Sequence, residues 1–178
     1  MARMMAWPEG HDPDTSVNFV SEELDVPVLS AVSIWPHIID TSKWESYYGY
    51  MSSVVFPDGS GPLLSLGARF CLFALTYPVQ AEVTEFQPPS DSAPGRLAWR
   101  GRVEENGKRL DLYHVWLIED RPREGALILT QETQHGELAK EIAAAEPSPM
   151  LYSHQDWVKS LAAAALRAQT NQEYPGGI

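Results

Sequence analysis

The sequence has one cysteine, few basic residues and no long apolar run, and each shortage excludes a class of protein. Cys71 cannot form an internal disulfide, so we expect a reducing, cytoplasmic location. With 13 Lys and Arg against 24 Asp and Glu, the net charge of −11 does not provide the basic face that nucleic acid requires. No segment approaches the ~20 apolar residues of a membrane-spanning helix, and the first residues lack the apolar run of a secretory signal. We therefore expect neither nucleic acid nor integral membrane association.

Motifs for metals, nucleotides and activated nucleophiles are also missing. The 5 histidines show no HExxH spacing and no cluster with cysteine, so the sequence predicts no metal site and no cofactor. There is no GxGxxG, no phosphate-binding loop and no GxSxG. Cys71 lies in an apolar strand pattern, where a reactive thiolate is disfavoured.

The length and composition are those of one globular domain. A chain of 178 residues that is 44% hydrophobic can bury roughly 70% of its unfolded surface. We expect a flexible N-terminal arm at residues 1–15, a single domain at 16–170 and a C-terminal tail at 171–178. The protein is expected to be a monomer or a homodimer.

Hydrophobic periodicity predicts the order of elements. After a strand at 17–26, a helix is expected to begin at Pro27 and to be kinked or ended by Pro36, and a second short helix to follow at 43–48. Six strands are then predicted, at 51–56, 67–77, 80–87, 97–103, 110–119 and 126–135. Two helices complete the pattern, at 137–145 and 149–169.

Three of these strands carry the residues most suited to chemistry. Alternation places Trp99 on an apolar face, and it places His114 and Trp116 in the apolar set of their strand. In the strand at 126–135, alternation does not decide whether the set with Thr130 and Glu132 faces inward. A one-sided antiparallel sheet wrapped around the C-terminal helix predicts an α+β fold.

Four segments, in this order, resemble a known family. They are VSIWPHIIDTSKW, LAWRG, YHVWLIE and TQETQHGEL, and the resemblance spans roughly residues 17–168. Together they resemble the START-like or SRPBCC superfamily, in its polyketide cyclase/dehydrase-like branch. The resemblance implies a helix-grip fold of about seven strands, with a deep apolar cavity between the sheet and the long C-terminal helix. It also implies that Trp99, His114, Trp116 and Glu132 point inward, which would place Thr130 on the inner face as well.

A histidine and a carboxylate that face one apolar cavity can act as general acid and base. We therefore predict His114 and Glu132 as catalytic residues of a cyclase, dehydratase or isomerase of secondary metabolism. The substrate would be a polyketide-like or aromatic ketone, deprotonated next to its carbonyl group. The candidate ligand-binding residues are Arg69, Phe73, Tyr77, Trp99, Trp116, Thr130, His154, Val158 and Leu161.

Several alternatives remain open at the level of sequence. His114 could be a core histidine bonded to the backbone, and Glu132 could be a solvated partner of Arg100 or Arg102. The protein could also be a non-catalytic carrier or sensor of a hydrophobic ligand. A third possibility is an interaction protein that works through an outer surface.

Overall fold

Seven antiparallel strands form one curved sheet in the structure, a computed structural model that describes residues 7–121 and 124–173. The strands are β1 Asn18–Val26, β2 Met51–Val55, β3 Arg69–Ala74, β4 Tyr77–Gln87, β5 Gly95–Glu105, β6 Lys108–Arg121 and β7 Gly125–His135. Their spatial order is β1-β7-β6-β5-β4-β3-β2, so β5 is the central strand and the first two strands of the chain, β1 and β2, form the two edges.

Four α-helices accompany the sheet within the described residues. They are α1 Ala31–Ile39, α2 Trp44–Tyr47, α3 Glu137–Ala144 and the long C-terminal α4 Pro149–Glu173. Helix α4 packs against β1, β7 and α1, so its apolar stripe closes the main core on the inner face of the sheet. The predicted α+β helix-grip fold is confirmed. Within the described residues, no helix combines the length and the apolar character needed to cross a membrane.

Strand β7 is apolar on both faces, which explains why alternation could not orient it. Ala126 and Ile128 belong to the main core under α4. Leu127 and Leu129 instead join a smaller apolar cluster on the outer face, to which Trp7 adds its ring. The set that contains Thr130 and Glu132 therefore faces inward, as the family resemblance implied.

The predicted boundaries differ most from the structure at the start of α1 and at the junction of β3 and β4. Helix α1 begins at Ala31 and not at Pro27, because Ser30 forms a capping box with Ser33 that satisfies the first free N–H groups. Pro36 lies inside this helix without ending it. The strand predicted to run from residue 67 to Tyr77 ends at Ala74, and a two-residue turn with Leu75 at φ 55° starts β4.

The structure describes only part of the N-terminal arm and of the C-terminal tail that the sequence predicts. Trp7 contacts Phe19 and Tyr113, and His11 contacts Tyr113 and His135, all on the outer face of the sheet. The predicted flexibility of residues 1–15 stays a prediction, and residues 1–6 lie outside the described part of the chain. Helix α4 extends three residues into the predicted tail, and residues 174–178 are also outside the description.

Candidate functional site

Strand register brings the predicted catalytic residues together. His114 on β6 pairs directly with Glu132 on β7 and, on its other side, with Trp99 on β5. Directly paired residues project from the same face of a sheet, so all three side chains enter the interior. Helix α4 adds His154, and the three titratable side chains meet although they come from separate elements.

The cluster of His114, Glu132 and His154 is compact and buried. His114 Nδ1 lies 3.0 Å from Glu132 Oε2, and His154 Nε2 lies 3.5 Å from the same oxygen. The three side chains are 2%, 8% and 6% exposed, respectively. A carboxylate so far from water needs a compensating partner, because burial of an uncompensated charge is costly.

The tautomer of His114 decides which group donates in its hydrogen bonds. Its Nε2 lies 2.7 Å from the Thr130 hydroxyl oxygen, which is 3.3 Å from the carbonyl oxygen of Val115; when the hydroxyl donates to that carbonyl, it accepts from His114 Nε2–H. In neutral His114 the other nitrogen, Nδ1, then has no hydrogen. Its electron pair is directed at the carboxylate of Glu132.

The hydrogen bond of His154 also leaves the ring nitrogen that faces Glu132 without a hydrogen. Its Nδ1–H donates to the carbonyl oxygen of Met150, one turn earlier in α4, at 2.8 Å. A carbonyl oxygen can only accept, so neutral His154 has no hydrogen on Nε2. Among residues 7–121 and 124–173, this buried nitrogen has no hydrogen-bond partner.

Glu132 divides its two oxygens between different neighbours. Oε1 accepts from the Gln134 side-chain amide at 2.6 Å, and the Gln134 oxygen in turn accepts from Asn18 at 3.0 Å. Oε2 faces the two imidazoles. In these tautomers the cluster presents three acceptor atoms to one another, whereas a hydrogen bond to Glu132 Oε2 requires the hydrogen of one imidazole to lie on the side of the carboxylate.

Burial and mutual contact shift both acid–base equilibria. Burial lowers the pKa of His114 to about 4, although contact with Glu132 opposes this shift. Burial alone would raise the pKa of Glu132, but hydrogen bonding with His114 and His154 outweighs it and lowers that pKa. At neutral pH the cluster therefore contains a carboxylate beside the neutral imidazole of His114.

A small cavity opens from this cluster. Its volume is about 60 Å³, its walls include Leu72, Val79 and Leu112, and its outer end is formed by Tyr50 and Tyr77. Pockets for drug-sized ligands measure about 300–1,000 Å³. The deep cavity that the resemblance implied is therefore mostly filled in this conformation. Aromatic rings occupy the space, namely those of Trp44, Phe70, Trp99, Trp116 and Trp157.

The predicted ligand-binding residues divide into three groups by position. Tyr77, Trp99 and His154 line the cavity. Four others are buried next to it, with Thr130 bonded to His114, Trp116 stacked on His114, and Val158 and Leu161 in the core beneath α4.

The third group lies away from the cavity. Arg69 pairs with Glu82 at 3.1 Å on the solvent side of the edge strand β3, and Phe73 is 46% exposed. A molecule in the cavity would not contact either side chain.

Two of the open alternatives are resolved by these contacts. Glu132 is not solvated and not paired with an arginine, since Arg102 instead pairs with Asp111 on the outer face. His114 is buried, but its hydrogen-bond partners are side chains and not the backbone.

Several residues around the cluster of His114, Glu132 and His154 were not predicted from the sequence. Gln134 was missed, although it has the same strand parity as Glu132 and therefore shares its face. Tyr48 and Ser153, which also line the cavity, had no signal in the pattern. His154 was predicted as a ligand-binding residue but not as a neighbour of His114 and Glu132, because the rotation of α4 against the sheet cannot be derived from its stripe.

One solved structure is similar to this chain in both sequence and fold. It is a hypothetical protein, jhp0584, from Helicobacter pylori, with 38% identity and a TM-score of 0.85 over 93% of this chain and 99% of that one. A START superfamily protein from Mycobacterium smegmatis covers 88% of this chain with a TM-score of 0.50 at 12% identity. The chain therefore has a START-like fold.

Another solved structure with a similar fold is that of an enzyme, by its name. A norcoclaurine synthase from Thalictrum flavum, crystallised with a transition-state analogue, covers 85% of this chain with a TM-score of 0.56 at 10% identity. At that identity the likeness concerns the fold alone. No family model and no curated protein matches the sequence.

Proposed function

We propose that this START-like protein is an enzyme that binds a small organic carbonyl compound in the cavity and moves a proton on it. The observation that carries the proposal is the convergence of three acceptor atoms, from His114, Glu132 and His154, at the polar end of an apolar cavity. A protein that only carried a hydrophobic ligand would not require a buried carboxylate at this position.

The reaction class follows from the chemistry of the cluster. An acceptor atom takes the proton from the carbon next to the substrate's carbonyl group, and the C–H electron pair forms the enolate. If a hydroxyl group stands on the β-carbon, the returned proton leaves with it as water. If a second carbonyl is in reach, the enolate carbon closes a ring. A dehydratase, cyclase or isomerase would use the same first step.

The size of the cavity limits the substrate. About 60 Å³ accommodates a few atoms, so a polyketide-like or aromatic molecule would enter only if the outer end widens. Tyr50, Leu75 and Tyr77 line that end and are partly exposed. The occurrence of the same fold in a norcoclaurine synthase supports an enzyme that acts on a small organic molecule.

Hydrogen exchange tests the first step without knowledge of the product. The protein would be incubated in heavy water with a panel of small ketones that includes β-tetralone, and loss of the α-hydrogen signals followed by NMR. We expect the wild-type protein to accelerate exchange and Glu132→Gln to lose about 10²–10⁴-fold of that rate.

The matched control is Glu82→Gln on the outer face, which should exchange like the wild type. Exchange that is no faster than in buffer for every ketone, or equally fast in Glu132→Gln, would contradict the proposal.

A non-catalytic carrier is the second candidate, and the apolar walls at Leu72, Val79 and Leu112 favour it. In that case the fluorescent probe anilinonaphthalene sulfonate would bind, Glu132→Gln would change only its affinity, and no ketone would exchange.

A further inference from the structure

The cluster described above has the composition of a metal site. One ligand atom from each of His114, Glu132 and His154 lies within 4.8 Å of the other two, and all three residues are buried. Two imidazole nitrogens and one carboxylate oxygen form a donor set that suits divalent first-row transition metals. Mg²⁺ and Ca²⁺ suit it less, because they favour ligands that are all oxygen. The ligands come from β6, β7 and α4, so no short sequence motif could reveal them.

Each potential ligand atom is oriented by a second residue. Thr130 accepts from His114 Nε2–H, the Met150 carbonyl accepts from His154 Nδ1–H, and Gln134 donates to Glu132 Oε1. Metal-bound histidines usually donate their other N–H to a protein acceptor in this manner, which fixes the nitrogen that faces the ion. The free electron pairs of both imidazoles consequently point at Glu132 Oε2.

A single proton does not satisfy this arrangement. A proton placed between His114 Nδ1 and Glu132 Oε2, which are 3.0 Å apart, satisfies those two atoms only. His154 Nε2, 3.5 Å from the same oxygen, then still has no hydrogen-bond donor. A cation between the three atoms would satisfy all of them. Metal–ligand distances of about 2.1 Å place neighbouring ligand atoms roughly 3.0–3.4 Å apart, close to the two distances to Oε2.

We infer that His114 Nδ1, Glu132 Oε2 and His154 Nε2 form a binding site for one divalent transition-metal ion, such as Zn²⁺. Three protein ligands leave at least one coordination position open, and the cavity lies on that side of the cluster. A carbonyl oxygen of a ligand, or a water molecule, can occupy that position.

The inference concerns the same cluster as the proposed function but needs no reaction to be correct. In the metal-bound protein, the three acceptor atoms are coordinated and cannot themselves take a proton. The base would then be a metal-bound hydroxide, and the ion would polarise the carbonyl of the substrate. The two proposals are separated by measuring metal binding and ketone exchange independently, with and without a chelator.

Cobalt provides a spectroscopic test on the full chain. The purified protein would be treated with a chelator, dialysed and titrated with Co²⁺, and the visible absorption of the bound ion recorded. We expect one Co²⁺ per chain, an intense band typical of four or five ligands, and its loss when Zn²⁺ is added. His154→Ala should weaken Co²⁺ binding at least ~100-fold. Loss of a metal ligand should lower the affinity no less than loss of a residue that only hydrogen-bonds a ligand.

The control variant is His11→Ala/His135→Ala, which removes the two neighbouring histidines on the outer face and should bind as the wild type does. Circular dichroism would verify that each variant is folded, and His154→Gln would replace the alanine variant if that one is not. No cobalt band in the wild type, or an unchanged band in a folded His154 variant, would overturn the inference. Exchange of ketones by chelator-treated protein that binds no cobalt would overturn this inference and leave the proposed function standing.

Discussion

The charged side chains on the two faces of the sheet differ in how they are paired and in how exposed they are. On the outer face, Arg69 pairs with Glu82, and Asp111 pairs with both Arg102 and Arg109, each in contact with solvent. On the inner face, Glu132 is buried beside two histidines and no lysine or arginine of the described chain neutralises it. The outer pairs are complete and add little stability, while in the inner cluster His154 Nε2 has no hydrogen-bond partner among the described residues. That difference points to the inner cluster as the place where a ligand acts.

The largest effect is expected from removing one of the aromatic rings that fill the inner cavity. Trp157 is 1% exposed and packs against Trp116 and Tyr48, so Trp157→Ala should lower the free energy of unfolding by about 3–5 kcal/mol. On the outer face, Trp7→Ala removes a half-buried ring and should cost clearly less. Urea denaturation of both variants measures the difference. Equal losses would mean that the inner face is not the main core.

A smaller effect is expected from the threonine that orients His114. Thr130→Val removes the acceptor of His114 Nε2–H, which frees the ring to adopt the other tautomer. We expect the affinity for Co²⁺ to fall about 10–100-fold in an absorption titration. Thr84→Val, which removes a hydroxyl bonded to Ala98 and Tyr113 elsewhere on the sheet, should leave that affinity unchanged. A fall of the same size in both variants would show a general loss of structure and not a specific orientation.

Losses of different size are expected when one carboxylate is neutralised on each face. In metal-free protein, Glu132→Gln removes a buried carboxylate whose pKa is lowered by its contacts with His114 and His154, so the free energy of unfolding should fall. Asp111→Asn breaks two exposed pairs and should lower the free energy of unfolding by about 0.2–1 kcal/mol per pair. Saturating Zn²⁺ should raise the melting temperature of the wild type but not that of Glu132→Gln. Unchanged or increased stability of metal-free Glu132→Gln would argue that the two imidazoles do not stabilise the inner carboxylate.

The smallest effect is expected at the edge of the outer face. Arg69 is 75% exposed, so Arg69→Ala should change the free energy of unfolding by less than about 1 kcal/mol. It should not alter binding of anilinonaphthalene sulfonate, because Arg69 does not line the inner cavity. Weaker probe binding in this variant would instead support the role predicted for Arg69 from the sequence.

The sequence was most informative where local chemistry sets the register. Asn106 and Gly107 both adopt positive φ, at 51° and 76°, so the Asn-Gly turn joins β5 to β6 tightly and places Trp99 opposite His114. Alternation along β6 then identified His114 as an inward polar residue. These two facts depend only on neighbouring residues, and such patterns are visible in a single sequence.

The rest of the site depends on tertiary packing. Strand β7 is buried on both faces, so its inward set could not be chosen from alternation, and the family resemblance was needed. The contact of His154 with Glu132 requires the rotation of α4 over the sheet, which its alanine-rich stripe does not specify. The volume of the cavity depends on how the tryptophan rings pack, and residue types alone do not determine that packing.

The most direct test of the inner cluster is a crystal structure of the protein soaked with Co²⁺, with anomalous scattering recorded at the cobalt edge. We predict one strong peak about 2.0–2.2 Å from His114 Nδ1, Glu132 Oε2 and His154 Nε2. An empty inner cluster, with cobalt bound only at His11 and His135 on the outer face or nowhere, would contradict the account.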